Sequence, residues 1–266
     1  MERETYIDSM RGLAMLLVVV FHVTYGCFHS ENIITRVVNI QLQLPLFFFI
    51  SGFFASKLNR NGVLQGIIQQ VKRLLMPSLL MLALYCWVMN LDYLQSLNLR
   101  LKEGYWFTIV LFEFGVIYIL TDAVCNRMAT LARLKPYVHL LVGCAIVYLS
   151  SFSEKWNAAY PIINTFSIGE FNHYIFFVLG SVLYSRREEL HKYLDNTPWS
   201  MAAILIIYLF LDVARYKYGF ASLRLLAMMS VSLLISTGLV IIWRIFKNHK
   251  FGGGGVIYWL SLDNEA

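Results

Sequence analysis

Residues 12–28, GLAMLLVVVFHVTYGCF, decide the fold. The run carries no charged side chain, and its length approaches the roughly 20 residues that a tilted helix needs to cross about 30 Å of hydrocarbon. Transmembrane strands alternate apolar and polar residues, which this run does not. It also lacks the small-residue cleavage site of a secretory signal, and further apolar runs follow it. We therefore expect a retained first membrane helix.

Seven more apolar runs follow along the chain of 266 residues, which is 58% hydrophobic and only 14% charged. A soluble protein would have a charged fraction of about 25%. The sequence predicts an all-α, polytopic transmembrane helical bundle of about eight spans, which forms a single domain over residues 1–266. A short apolar stub, Val256–Leu262, follows four glycines and is too short to cross a bilayer. The seven runs are residues 40–55, 74–91, 105–121, 137–151, 173–184, 200–211 and 225–246.

The net charge of +6 indicates an orientation rather than a nucleic-acid partner. If the N-terminus is cytoplasmic, 15 of the 22 lysines and arginines fall in inside loops, as the positive-inside rule requires. We therefore expect a multi-pass protein of the inner (plasma) membrane with a cytoplasmic N-terminus. The seven basic residues of the outside loops are then Arg36, Arg100, Lys102, Lys155, Arg215, Lys217 and Arg224.

Ionisable side chains inside membrane helices are costly and therefore mark candidate functional sites. Arg11 and His22 are 11 residues apart, which in a helix is three turns with about 20° of drift, so both project from one face. Roughly 16 Å of helix axis separates them. Histidine exchanges a proton near neutral pH, and arginine offers a planar fork for phosphate. The alternative for His22 is a hydrogen bond to a neighbouring helix.

Three further residues are candidates in other parts of the chain. Glu113 lies well inside the fourth apolar run, where it could orient His22 or receive a proton. Its alternative is a carboxyl that is hydrogen-bonded between helices. Lys72 and Arg73 precede the third run, and they are either donor-binding residues or simple positive-inside anchors. The sequence contains no metal-ligand spacing, so no metal site is predicted.

The stretch YIDSMRGLAMLLVVVFHV (6–23) resembles the opening of the acyltransferase 3 family of integral membrane acyltransferases. The hallmark of that family is an arginine, ten residues and a histidine on the first helix, which Arg11 and His22 match. The compact length resembles the branch that includes fucose 4-O-acetylases. Four later stretches match in order: PLFFFISGFF (45–54), VKRLLMP (71–77), GYWFTIVLFE (104–113) and, more loosely, YIFFVLGSVL (174–183).

This resemblance implies an enzyme that transfers an acyl group, usually acetyl, from cytoplasmic acyl-CoA to a hydroxyl of a surface glycan or lipid-linked sugar. Acyl-CoA is then a donor substrate, and no tightly bound cofactor is expected. His22 would be the essential base or acyl relay, and Arg11 would steady the donor. Arg73 would meet the CoA phosphates, with Lys72 beside it. The family usually has about ten helices, so the last helix or two are expected to be missing from this chain.

Two other functions remain open at the level of the sequence. A glycan or lipid exporter would also be polytopic, although transporters often show inverted repeats, and none is visible here. A non-catalytic membrane subunit would suit the short C-terminal part. Loss of ester-linked acetyl from an unchanged polymer would indicate the enzyme, whereas loss of the polymer itself would indicate transport.

Overall fold

The computed structural model describes residues 5–28, 43–59, 62–150, 152, 161–186, 188–189 and 192. Every regular element in these ranges is helical. Two predicted spans, residues 200–211 and 225–246, and the C-terminal stub lie outside the described residues. The α-helices are α1 Thr5–Phe28, α2 Leu44–Phe53, α3 Val63–Gln70, α4 Met76–Met89, α5 Tyr93–Asn98, α6 Trp106–Arg127, α7 Ala129–Arg133, α8 Lys135–Ser150 and α9 Tyr174–Ser185.

The chain divides into two compact units, and the prediction of a single domain stays a prediction. One unit comprises residues 1–50 and 186–266, and the other comprises residues 51–185. In the second unit α6 is central, since it contacts α3, α8 and α9. Its aromatic side chains form the core there: Phe114 and Tyr174 have ring centroids 5.0 Å apart, and Tyr118 lies 6.0 Å from Phe177.

Three helical segments of the second unit are long and apolar enough, by length and composition, to cross a membrane: Val63–Met89, Trp106–Arg127 and Asn164–Ser185. Shorter apolar helices cover Ala14–Thr24, Leu44–Lys57 and Lys135–Ser150 among the described residues. The first long segment also exposes large apolar side chains, as expected of a lipid-facing surface, because water would penalise them. They include Leu80, Leu84, Trp87 and Val88. The prediction of a helical membrane protein is thus confirmed, whereas the predicted number of about eight spans stays a prediction.

A π-helical turn, Val71–Leu75, joins α3 to α4. Pro77 cannot donate a hydrogen bond to the carbonyl four residues before it, and its ring would clash with that carbonyl. The wider turn avoids this conflict, and the Met76 N–H bonds back to the Val71 carbonyl instead. Pro77 therefore lies inside a continuous helical segment, Val63–Met89.

Two short 3₁₀ segments, Pro161–Phe166 and Ile168–His173, lead directly into α9. Residues of the second segment contact α8. A 3₁₀ helix is seldom longer than a few residues. This arrangement therefore places a non-α backbone in the first half of a segment that is apolar enough to span the membrane, and polar side chains cluster around it.

Gly52 of α2 lies against the backbone of α9. A Cβ atom added at position 52 would be 1.8 Å from the carbonyl oxygen of Phe177. Small residues allow membrane helices to approach this closely.

Replacing Gly52 with alanine is expected to lower the free energy of unfolding by about 1–3 kcal/mol, because the backbone of one helix must move. Thermal unfolding of the purified protein in detergent measures this cost. Gly143→Ala is the matched control, since a Cβ there meets only side-chain atoms at 3.4 Å or more. Equal stability of the two variants would contradict the close packing of Gly52 on α9.

Candidate active site

In the first unit, α1 presents both residues of the arginine–histidine pair. Arg11 and His22 are exposed, and the helix runs unbroken through both positions. Their shared face therefore follows from the helical backbone. Arg11 and His22 are separated by roughly 16 Å along the axis of α1, as predicted, because an α-helix rises about 1.5 Å per residue.

The His22 ring makes a hydrogen bond within its own helix. Nδ1 lies 2.8 Å from the carbonyl oxygen of Val18. A carbonyl oxygen only accepts, so Nδ1 must carry the hydrogen. In the neutral ring, Nε2 then carries the lone pair and can accept a proton. The described contact is thus made to the preceding turn of α1, and the geometry suits a general base.

Lys72 and Arg73 lie in the π-helical turn, where both side chains are exposed. No described residue forms a hydrogen bond or an ion pair with either of them. π-Helical turns often occur at functional sites, because the extra residue changes the direction in which side chains project. Both residues therefore remain available for an anionic ligand or for the membrane surface.

Glu113 lies in the middle of α6, in the second unit. Its Oε2 atom is buried and has no hydrogen-bond partner among the described residues. The sequence-based prediction that Glu113 orients His22 or receives a proton stays a prediction, since the two residues belong to different units.

Lys102 belongs to a polar cluster at the start of α6, which sequence reasoning missed by assigning Lys102 to an outside loop. The side chain is 0% exposed, and Nζ donates to the carbonyl oxygen of Asn164 at 2.7 Å. Burial lowers the pKa of this ammonium group, and the negative charges of Glu113 and Glu170 oppose that shift. The sequence signal was weak, because a lysine close to the end of a span usually reaches water.

Glu170 is a buried carboxylate in the same cluster as Lys102. Arg100 donates from Nε to Glu170 Oε1 at 2.8 Å. His173 follows Glu170 by three residues, which is one turn of a 3₁₀ helix. Its Nδ1 atom lies 3.1 Å from the carbonyl oxygen of Glu170. The Trp106 ring is 6.5 Å from the His173 ring. Residues from two separate stretches of chain, at 100–106 and 164–173, thus build one polar region in the second unit.

A different polar cluster surrounds Asp122 near the C-terminal end of α6. Its carboxylate pairs with Lys135 and accepts hydrogen bonds of 3.0 Å from Asn59 and from Asn126. His139 Nε2 is 3.7 Å from Asp122 Oδ1, which is too far for a hydrogen bond. The ring of His139 stacks on Tyr118 with centroids 4.4 Å apart. Asp122 therefore connects α6 to α8 and to the chain after α2.

The predicted site residues thus fall into two groups. Arg11 and His22 share one face of α1 in the first unit. Glu113 lies in the middle of α6 in the second unit, and Lys72 and Arg73 lie together on the π-helical turn of that unit. His22 can act as a base, and the Oε2 atom of Glu113 is buried. Lys72 and Arg73 are exposed and can contact an anion.

Comparison with known proteins identifies the family. A family model described as an acyltransferase domain, that of acyltransferase 3, matches residues 4–261, which is essentially the whole chain. No curated protein and no solved structure matches the chain. The match begins before Arg11 and continues past every described helix. The protein therefore belongs to the acyltransferase 3 family and is a membrane acyltransferase.

Proposed function

We propose that this protein is an O-acyltransferase that moves an acyl group, typically acetyl, from cytoplasmic acyl-CoA to a hydroxyl of a surface glycan or lipid-linked sugar. The main support for this proposal is the hydrogen bond made by the ring of His22. Its Nδ1–H is bonded to the Val18 carbonyl, which leaves Nε2 as the basic atom on the Arg11 face of α1. Family membership supports the acyltransferase class.

In the proposed reaction, Nε2 of His22 takes the proton of the acceptor hydroxyl as its oxygen attacks the thioester carbonyl carbon. A new C–O bond forms and the C–S bond of the donor breaks. The proton then passes from Nε2 to the departing CoA sulfur, so that the products are the ester and free CoA. A hydroxyl is a poor nucleophile until its proton is removed, so a positioned base is the main requirement.

The other predicted residues have supporting roles in this proposal. Arg11 steadies the donor at the end of α1 for which the charge distribution predicts a cytoplasmic position. Lys72 and Arg73, exposed on the π-helical turn, contact the phosphates of CoA by charge-assisted hydrogen bonds. Glu113 orients the reacting groups or receives a proton. The proposed location is the plasma membrane, with the N-terminus in the cytoplasm.

The experiment that tests this function is mass spectrometry of surface glycans from cells with and without the gene. Loss of ester-linked acetyl groups with an unchanged amount of polymer supports the proposal. Loss of the polymer would instead indicate an exporter. An unchanged acetyl content, with the protein present in the wild-type membrane, would reject the glycan as acceptor.

Replacing Arg73 with alanine is expected to raise the donor KM roughly 10- to 100-fold, because a hydrogen bond to a charged group contributes about 1.5–3 kcal/mol. The kcat should change little if the contact is equal in ground and transition states. Steady-state kinetics with purified protein and varied acyl-CoA measure both constants. Arg133→Ala is the control, since Arg133 is also exposed and lies on the same predicted side. An unchanged donor KM would make Arg73 a topology anchor.

A further inference from the structure

The guanidinium group of Arg100 is fixed at its Nε atom and exposed at its terminal nitrogens. Nε donates a hydrogen bond of 2.8 Å to Oε1 of Glu170. The Glu170 side chain is 9% exposed, whereas that of Arg100 is 61% exposed. The two terminal nitrogens form no hydrogen bond or ion pair with any residue that the structure describes. A buried carboxylate thus orients a planar group whose remaining N–H donors are available to a ligand.

The backbone on both sides of Arg100 is tied to the 3₁₀ segment that contains Asn164 and Thr165. Before Arg100, the Oδ1 atom of Asn98 accepts a hydrogen bond from the Thr165 hydroxyl. After it, Nζ of the buried Lys102 donates to the carbonyl oxygen of Asn164 at 2.7 Å. An exposed arginine usually loses much conformational entropy when it binds a ligand. These ties, together with the contact to Glu170, reduce that loss for Arg100.

Large apolar side chains are exposed around this guanidinium, and we call them the apolar patch. Two of them flank Arg100 in the chain, one belongs to α5, and one ends the 3₁₀ segment that α5 contacts. The members of the apolar patch are Leu94, Leu99, Leu101 and Phe166. Contact with water would penalise these side chains, so the apolar patch favours contact with lipid.

The apolar patch lies where three membrane-spanning segments begin or end. Residues 90–105 connect the end of Val63–Met89 to the start of Trp106–Arg127, and Phe166 lies near the start of Asn164–Ser185. Such a position corresponds to the surface of the bilayer, and the charge distribution predicts the outer surface. Arg100 therefore presents its donors at the depth at which lipid head groups lie.

A lipid phosphate matches this combination of groups better than a soluble anion does. The terminal edge of a guanidinium can bind two oxygens of one phosphate group. The hydrocarbon chain attached to that phosphate would cover the apolar patch. A free acidic sugar could also bind Arg100, but it would leave the leucines in water.

We propose that Arg100 and the apolar patch bind the phosphate and the adjoining chain of the lipid that carries the acceptor sugar. The inference rests on the proposed function, and it selects the lipid-linked sugar as the class of acceptor. Glu170 is the positioning residue that orients the guanidinium. The phosphate is bound and not transferred, so no bond to phosphorus forms or breaks.

The test is lipid binding by the purified full chain, measured by native mass spectrometry in detergent. Polyprenyl diphosphate and phosphatidylglycerol are the two probes, and the wild type should retain the diphosphate more strongly. Arg100→Gln should weaken the binding of polyprenyl diphosphate about 10- to 100-fold, because hydrogen bonds to a charged group are lost. The control is Arg127→Gln, which changes an exposed arginine at the other end of α6 and should leave binding unchanged.

Two further variants separate orientation from folding. Glu170→Leu keeps the charge of Arg100 but removes its buried partner, so it should weaken binding by a smaller factor than Arg100→Gln. If Arg100→Gln lowers the folded yield, combining it with Glu170→Gln removes both charges and should restore folding. The folded double variant should still bind the diphosphate poorly. Normal binding by that double variant would overturn the proposal.

Three other results would also overturn the proposal. Unchanged binding in Arg100→Gln would show that Arg100 only ties its loop to Glu170. An equal loss for both probes would show contact with bulk lipid. A loss of binding to an acidic oligosaccharide without a lipid, with unchanged binding of polyprenyl diphosphate, would identify a soluble acceptor instead.

Binding and turnover distinguish this proposal from the proposed function. In transfer assays with a lipid-linked sugar, Arg100→Gln should raise the acceptor KM and leave the donor KM unchanged. If polyprenyl diphosphate binds through Arg100 but the wild type transfers no acyl group, the proposed function fails while the phosphate site is supported. If the wild type and Arg100→Gln acylate a lipid-free glycan equally well, this proposal fails while the proposed function stands.

Discussion

Replacing His22 with glutamine is expected to reduce the rate of acyl transfer about 10²- to 10⁴-fold, which is the usual contribution of a positioned general base. Glutamine is similar in size and keeps an amide N–H donor at the end of the side chain, but it cannot exchange a proton near pH 7. His22→Ala should lose at least as much activity. The measurement is the transfer rate normalised to the amount of membrane-inserted protein.

The two His22 variants distinguish catalysis from structure. If the ring serves only as a hydrogen-bonding group, glutamine should largely preserve activity, and alanine should lower the protein level more than the specific rate. Because His22 is exposed in the structure, its removal should leave no cavity, and the folded yield of both variants should remain near that of the wild type. Near-normal specific activity in His22→Gln would remove the catalytic role.

Replacing Asp122 with alanine is expected to lower the free energy of unfolding by about 3 kcal/mol, near the lower end of the range for breaking a buried ion pair. The carboxylate is almost fully buried, and its loss leaves Lys135, Asn59 and Asn126 without their acceptor. Lys135 is about one-third exposed, so water can compensate part of the loss. Thermal unfolding in detergent measures the change.

The control for Asp122 is Asp92, an exposed carboxylate with a single defined contact. Asp92 caps α5 by accepting a hydrogen bond from the backbone N–H of Gln95 at 2.7 Å. Asp92→Ala should therefore cost only about 1 kcal/mol, as is typical for an N-cap. A smaller effect at Asp122 than at Asp92 would show that the cluster around Asp122 does not hold α6 and α8 together.

The helical class and the positions of most described helices could be predicted from apolar runs alone, because each run is continuous. The predicted run 105–121 corresponds to Trp106–Arg127, and 137–151 corresponds to Lys135–Ser150. The predicted runs and the observed helices differ at their ends, where polar residues occur. The apolar pattern stops at Asp122, but the helix continues because Lys135 and two asparagines compensate that charge. Periodicity cannot reveal a partner that is distant in sequence.

The candidate site was only partly predictable for the same reason. Spacing along one helix places Arg11 and His22 on one face, and no tertiary information is needed for that. The buried state of Lys102 depends on a carbonyl 62 residues away and on a left-handed turn in which only Gly104 is a recognisable signal. The π-helical turn was likewise hidden, since a proline after basic residues also suits the start of a new helix.

The hydrogen bond between His22 and Val18 has a consequence for the order of chemical events. With Nδ1 committed to the helix backbone, Nε2 is the one ring atom that can take part, and turning the ring over would break that bond. A single nitrogen cannot carry an acyl group and remove a proton at the same time. A covalent acyl-histidine would therefore leave the acceptor hydroxyl without this base. In the proposed reaction we therefore expect direct transfer within a ternary complex, with both substrates bound before either product leaves.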